Sequence, residues 1–354
     1  MFKINILLLF FAFIFLSGCG SSPTKTTGTF EGKDTKQVLV ASNDLHKKGD
    51  YTTAVEGYKH AATQDPSKQK ETAVANNNLA VMYYEGKGVA QNLSKAYELF
   101  SKAAATGLAN AQYNLGQMYH TGKGVPRNFN RAKSWYNKAA AQGDVQSIYT
   151  LGLMAYDKQN FIKAKKLFQQ AAAKGNPNAK THIGKMYFAG KGFGQNYQQA
   201  AKWFLKAANE NNHAEAQYLL GFMLYKNRKN FKQAKKWFTK SAQQKYAPAE
   251  AGLGQLYYRG QGVRKNLGTA IKWTTKAAEH GFPDAQNNLG MMYFQGEGVK
   301  KDLVIAYKWV SLASKGGNKQ ARKGRNFLVK QLSIPQITKG ERLAKQWQLQ
   351  HNAR

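Results

Sequence analysis

The 354-residue sequence predicts an all-α fold, a right-handed α-solenoid of helix–turn–helix repeats. Self-similarity is the first observation behind this. The stretch AQYNLGQMY from Ala111 to Tyr119 returns as AQNNLGMMY from Ala285 to Tyr293. With Leu115 as marker, its equivalents are Leu79, Leu151, Ile183, Leu220, Leu253 and Leu289, spaced 36, 36, 32, 37, 33 and 36 residues apart. That is the period of a helical hairpin. A second column is the second observation: Asn92, Asn128, Asn160, Asn196, Asn230, Asn266 and Asp302, each followed four residues on by Ala. Three residues further lies Leu99, Trp135, Leu167, Trp203, Trp237, Trp273 or Trp309. An Asn or Asp side chain caps a helix, and Ala then Trp or Leu builds an apolar face at helical spacing. The third observation is composition: at 42% hydrophobic and 12% aromatic the chain can bury a core.

Each segment follows in order. Residues 1–18 carry Lys3 and an unbroken apolar run from Ile6 to Leu16, too short to span a bilayer and suited to an export signal. Residues 19–36 are rich in Gly, Ser, Thr and Lys without apolar period and are expected to form a flexible tether. Residues 37–68 contain one helical hairpin, and 73–317 contain seven repeats. Gly116 and its equivalents let the two helices of a hairpin approach. Paired glycines such as Gly86/Gly88, Gly122/Gly124, Gly260/Gly262 and Gly296/Gly298 end each first helix and permit positive φ. Residues 318–354 supply capping helices and a tail, for roughly eighteen helices in all.

The repeat columns resemble the Sel-1-like repeat, a relative of the tetratricopeptide repeat. Lys158-Gln159-Asn160 in repeat three and Asn227-Arg228-Lys229-Asn230 in repeat five replace its glycine-rich turn with a shorter, tetratricopeptide-like one. Ahead of the array, Gly49-Asp50-Tyr51, Ala54, Tyr58, Ala61 and Pro66 resemble a plain tetratricopeptide repeat. Leu16-Ser17-Gly18-Cys19 resembles the lipobox of bacterial lipoproteins. That resemblance implies cleavage before Cys19 and a diacylglycerol plus an N-acyl chain on it. Gly20, where enteric lipoproteins kept at the inner membrane have Asp, implies the outer membrane.

An enzyme is not expected. The seven histidines are scattered, and the chain has no H-E-x-x-H, no G-x-S-x-G and no Walker loop. Gly190-Lys191-Gly192-Phe193-Gly194 imitates a phosphate loop but aligns with the inter-helix turns and follows no strand. A cysteine-rich branch of the resembled family has been linked to β-lactams, and a chain whose one cysteine is Cys19 stands outside it. No catalytic residue, metal site or cofactor beyond the covalent lipid is expected.

Binding is the expected use, and two residue columns are candidates. The residue five after the Leu or Ile marker is Tyr84, His120, Tyr156, Phe188, Tyr225, Tyr258 or Phe294, and by resemblance it faces the concave groove. Tyr113, Tyr149 and Tyr218 lie two turns earlier, with Gln117 and Lys185 between. These rings either stack on an extended peptide or glycan, or pack against the neighbouring repeat; both readings stand on sequence alone.

The second column is basic: Lys166, Lys202, Lys236, Lys272 and Lys308 precede the Trp or Leu marker, and Lys206, Lys240 and Lys276 follow one turn on. With 53 Lys plus Arg against 19 Asp plus Glu, net +34, such a stripe fits an acidic glycan, lipopolysaccharide or acidic protein. The alternative is compositional. Lys outnumbers Arg 44 to 9 and Asn fills six of eight caps, as in a protein from an AT-rich genome. The resemblance implies a membrane-anchored scaffold binding protein segments of the envelope or a host. The alternative is a lipoprotein that holds a polyanion, and export argues against nucleic acid.

Overall fold

The computed structural model describes residues 29–65, 67–226 and 230–352, and among them finds eighteen α-helices and no strand. Cys19 and the whole export-signal reading lie outside the described residues, as does the 227–229 turn of repeat five. No described helix is long and apolar enough to cross a membrane. The chain divides into two compact units, Met1–Ala132 and Lys133–Arg354.

The first unit holds α1 (Thr35–Lys48), α2 (Tyr51–Thr63), α3 (Gln69–Glu85), α4 (Leu93–Ala105) and α5 (Ala109–Thr121). Helix α6 (Phe129–Ala141) contains the boundary. The tether expected through residue 36 does not hold at its end, where the chain is already folded from Phe30. Asp34 and Gln37 form a reciprocal capping box that starts α1 at Thr35, and Phe30 is buried against Gly57 and Ser42. One aromatic anchor and one cap order the end of a segment that shows no apolar period.

The second unit continues with hairpins α7 (Val145–Asp157) and α8 (Phe161–Ala173), α9 (Pro177–Ala189) and α10 (Tyr197–Glu210), α11 (Ala214–Lys226) and α12 (Phe231–Gln243). Then come α13 (Ala247–Arg259) and α14 (Leu267–Glu279), and α15 (Pro283–Gln295) and α16 (Leu303–Lys315). Helices α17 (Lys319–Val329) and α18 (Ile334–Asn352) close the unit.

The capping column folds as its chemistry demands. Asn92, Asn128, Asn160, Asn196, Asn230, Asn266 and Asp302 each accept a backbone N–H from the first turn of the following second helix. At the other end of the hairpin turn, Gly190 closes α9 at φ 68°, where a side chain would be strained. Gly192 lies so close to the start of α8 that an added Cβ would meet the Phe161 carbonyl at 2.8 Å. In repeat three, which lacks this glycine pair, Gln159 takes the left-handed conformation itself at φ 59°.

The core is one residue displaced from the expected marker. Most of the Trp and Leu markers are only half-buried, Leu99 and Trp309 excepted, whereas the next residue is sealed: Phe100, Tyr136, Phe168, Phe204 and Phe238 are 0–3% exposed. The first-helix glycines exist to receive these rings. A Cβ on Gly152, Gly184 or Gly221 would meet Phe168, Phe204 or Phe238 at 2.6–2.7 Å. Each such ring contributes about 1.5–3 kcal/mol through burial, while the marker Trp keeps part of its face outside.

Candidate functional site

Two faces remain once the core is buried, one on the first helices and one on the second. On the first-helix face, the expected aromatic column sits at the last turn, beside the start of the second helix in the same repeat. His120, Tyr156, Phe188 and Tyr225 meet the edges of Phe129, Phe161, Tyr197 and Phe231 at centroid distances of 5.2–5.6 Å. Each partner is the residue just after the capping Asn, a position whose recurring aromatics are visible in the sequence and could have announced the pairing.

The next repeat covers part of the same rings. Lys123 lies over Tyr84, Lys191 over Tyr156, and the Tyr258 hydroxyl donates to Glu297 at 2.6 Å. Phe294 meets Phe327 of the closing helix α17 at 5.8 Å. The rings are therefore pinned at their edges and remain partly open: Phe188 and Tyr258 are 37% and 36% exposed.

The earlier column does not form a continuous row with these rings. Tyr218 turns inward to stack on Phe238 at 5.8 Å and meets Tyr246 at a tilt, and burial pushes its hydroxyl pKa up. Tyr149 meets His182 and Phe168, and Tyr113 accepts a hydrogen bond from the Gln117 amide. Lys185 reaches across the repeat to Glu215, with Nζ 2.5 Å from Oε1.

That ion pair belongs to a polar cluster not legible in the sequence. His182 Nδ1 lies 3.0 Å from the Asn178 carbonyl and 3.2 Å from the Tyr149 hydroxyl. His213 Nδ1 accepts from Ala216 N–H at the start of α11, while Nε2 lies 2.9 Å from Asn178 Oδ1. Burial, then the nearby Lys185 charge, lowers the His182 pKa to about 4, and burial lowers that of His213. Lys185 holds Glu215 below the usual carboxylate range despite burial, so the cluster has a neutral imidazole pair beside a charged pair.

On the second-helix face, Lys166, Lys202, Lys206, Lys236, Lys240, Lys272 and Lys276 are exposed, and Lys308 is half-buried with its pKa lowered by that burial. None of the eight makes an ion pair among the described residues. Three of them lie over the neighbouring indole: Lys206 on Trp203, Lys240 on Trp237 and Lys276 on Trp273, at 5.7, 4.9 and 4.5 Å from the ring centroid. Lys308 does the same to Trp309 at 4.2 Å. At Trp203, Trp237 and Trp273 the half-buried indole thus serves as a platform for its own cation, whereas Trp309 does so while buried. Among the described residues no group of His, Cys, Asp and Glu could hold a metal ion.

Comparison with known proteins follows this geometry. Seven segments match the Sel1 repeat: residues 73–108, 109–144, 147–176, 177–212, 214–246, 247–282 and 283–318. No curated protein sequence matches the chain. A solved Sel1 repeat protein from Oxalobacter formigenes is 28% identical, with 87% of this chain and 90% of that one covered and a TM-score of 0.61. A protective antigen of uropathogenic Escherichia coli with an SLR fold is 25% identical over 91% of this chain and 93% of its own, with a TM-score of 0.41. Yeast Tom70 is similar in fold at 15% identity and TM-score 0.51, over 89% of this chain and 65% of its own. Sel1 repeats build protein-interaction scaffolds. The chain, with seven such repeats folded as helical hairpins, belongs to the Sel1 repeat family.

Proposed function

We infer that this protein is a non-enzymatic scaffold of the bacterial cell envelope, anchored by lipid on Cys19, which binds segments of partner proteins along its first-helix face. One observation carries the binding part. With the core buried, first helices still present partly open aromatics held in place by a neighbour, Phe188 by the edge of Tyr197 and Tyr258 by its hydroxyl bond to Glu297. Rigid, partly exposed aromatics offer large contact area at low entropy cost. The anchoring part rests on the apolar run and the Leu16-Ser17-Gly18-Cys19 motif. Acyl chains contribute about 0.8 kcal/mol per buried methylene, so more than one chain holds such a protein at a bilayer. The absence of Asp after Cys19 favours the outer membrane.

A photoreactive amino acid at Phe188 or Tyr258 in living cells tests the binding part. Discrete protein adducts are expected, and a fully folded Phe188→Ala/Tyr258→Ala variant that keeps the same partners at the same affinity would contradict it. Anchoring is tested separately, since Cys19→Ala is expected to release the protein from membranes.

A second reading has its own observation, the unpaired lysines alternating with indoles on the second helices of the second unit. Sugar faces stack on indoles and their acidic groups pair with ammonium ions, so an acidic glycan or lipopolysaccharide fits this face. Its signature is affinity that collapses with added salt.

A further inference from the structure

The first-helix face is not uniform, and its last stretch in the second unit differs from the rest. Between α13 and α15 lies a cavity of about 200 Å³, lined by Ala251, Tyr258, Met291 and Met292 and by the polar Gln255, Arg259 and Asn288. Met291 is 38% exposed at its mouth and sits one helical turn before Phe294 on the same face. Phe294 in turn meets the edge of Phe327, which is 51% exposed on α17. An apolar path thus runs from the cavity over Met291 and Phe294 to Phe327.

The unpaired charge beside this path is positive. Lys323 lies one turn before Phe327 and Lys330 one turn after it, both exposed and without an ion pair among the described residues. Lys301 sits over the Phe294 ring at 5.6 Å. No acidic residue occurs from Lys315 to Gly340. The one carboxylate at the cavity, Glu297, is engaged by the Tyr258 hydroxyl.

We propose that this stretch is the anchoring subsite for an acidic protein segment, whose single large apolar side chain fills the α13–α15 cavity while its carboxylates meet Lys301, Lys323 and Lys330. The proposal rests on the first-helix reading above and names the partner chemistry it leaves open. An apolar side chain of Leu or Phe size suits the cavity, and its burial is the main source of affinity. The lysines set orientation and on-rate.

The test uses the full-length protein in detergent and a fluorescein-labelled peptide of Asp and Glu with one central Phe. Binding is expected to weaken about tenfold or more when that Phe becomes Ala, the equivalent of burying one large side chain. Ala251→Trp, which fills the cavity, is expected to cause a comparable loss. So is Phe327→Glu, a surface change that leaves the core intact. Glu56→Ala, a change at an exposed residue of α2 outside both candidate faces, is expected to leave the peptide's affinity unchanged.

Equal affinity for the Phe and Ala peptides, or binding indifferent to both Ala251→Trp and Phe327→Glu, overturns the proposal. So does a face that ignores the peptide and instead holds vesicles of anionic lipid through Phe327. If the peptide fails while adducts still form at Phe188, this subsite alone is wrong. If both fail, the first-helix reading falls with it.

Discussion

The two units hold almost the same number of carboxylates and use them differently. Through Ala132 the chain has 15 Lys plus Arg against 9 Asp plus Glu, a balance of +6, while the remaining residues carry 38 against 10, or +28. In the first unit, Lys47–Asp44, Lys59–Glu56 and Lys102–Glu98 run along single exposed helices, where such pairs are worth little. In the second, Lys180–Glu210, Lys185–Glu215 and His280–Glu250 each join residues about one repeat apart, with Lys180 and Glu250 buried. Three of its ten carboxylates thus reach across the joints between hairpins, and the outer lysines make no ion pair among the described residues. A basic proteome would raise the charge of both units alike, so composition alone does not produce this contrast.

The comparison can be broken first at the core, which it takes to be equivalent in the two units. Phe100→Ala in the first and Phe168→Ala in the second are each expected to cost about 3–5 kcal/mol, read by chemical denaturation. A loss confined to one of them would mean that the units differ in more than charge.

The joints come next. The second unit should weaken in acid through His182. The unfolded chain takes up that proton near pH 6.5 and the folded chain only near pH 4, so the folded state loses stability as pH falls through this window. About 1–3 kcal/mol is expected, allowing for partial solvent access to the ring. Melting of a His182→Gln variant should be flatter between those values, and an unchanged slope would remove the imidazole from the account. Glu250→Ala, which strips a buried carboxylate from His280, is expected to cost about 1–3 kcal/mol, against less than about 1 kcal/mol for the exposed Glu56→Ala.

The smallest effect on stability should come from the outer lysines. Lys202→Ala, Lys236→Ala and Lys272→Ala together should leave melting unchanged, while lowering the salt dependence of heparin retention by roughly one unit of slope per lysine. If the equivalent triple change at Lys47, Lys59 and Lys102 has the same effect, the contrast between the units has no consequence for binding.

Much of this was legible in the sequence because the repeats are local devices. The Asn caps and the glycine turn ends are set by residues three or four apart, and every capping Asn or Asp does what its position predicts. The core column was misplaced by one residue because hydrophobicity points to Trp, whereas packing against a glycine selects the flat ring after it. The aromatic column is visible as a sequence pattern, whereas its edge contacts with Phe129, Phe161, Tyr197 and Phe231 depend on how the turn returns the second helix. The cluster of His182, Lys185, His213 and Glu215 could not be read at all. It joins different repeats, and no spacing within one repeat encodes it. The same holds for the cavity between α13 and α15.

The central claim is that protein segments bind the first-helix face rather than the lysine face of the second helices. The most direct measurement compares photo-crosslinking in intact cells from Tyr258 and from Lys236, with washing from about 0.1 to 0.6 M salt, across which screening lengths shorten from roughly 10 to 4 Å. The account predicts a discrete, salt-resistant protein adduct from Tyr258 and only salt-sensitive, heterogeneous adducts from Lys236. A single defined adduct from Lys236, with none from Tyr258, would contradict it and place recognition on the second helices.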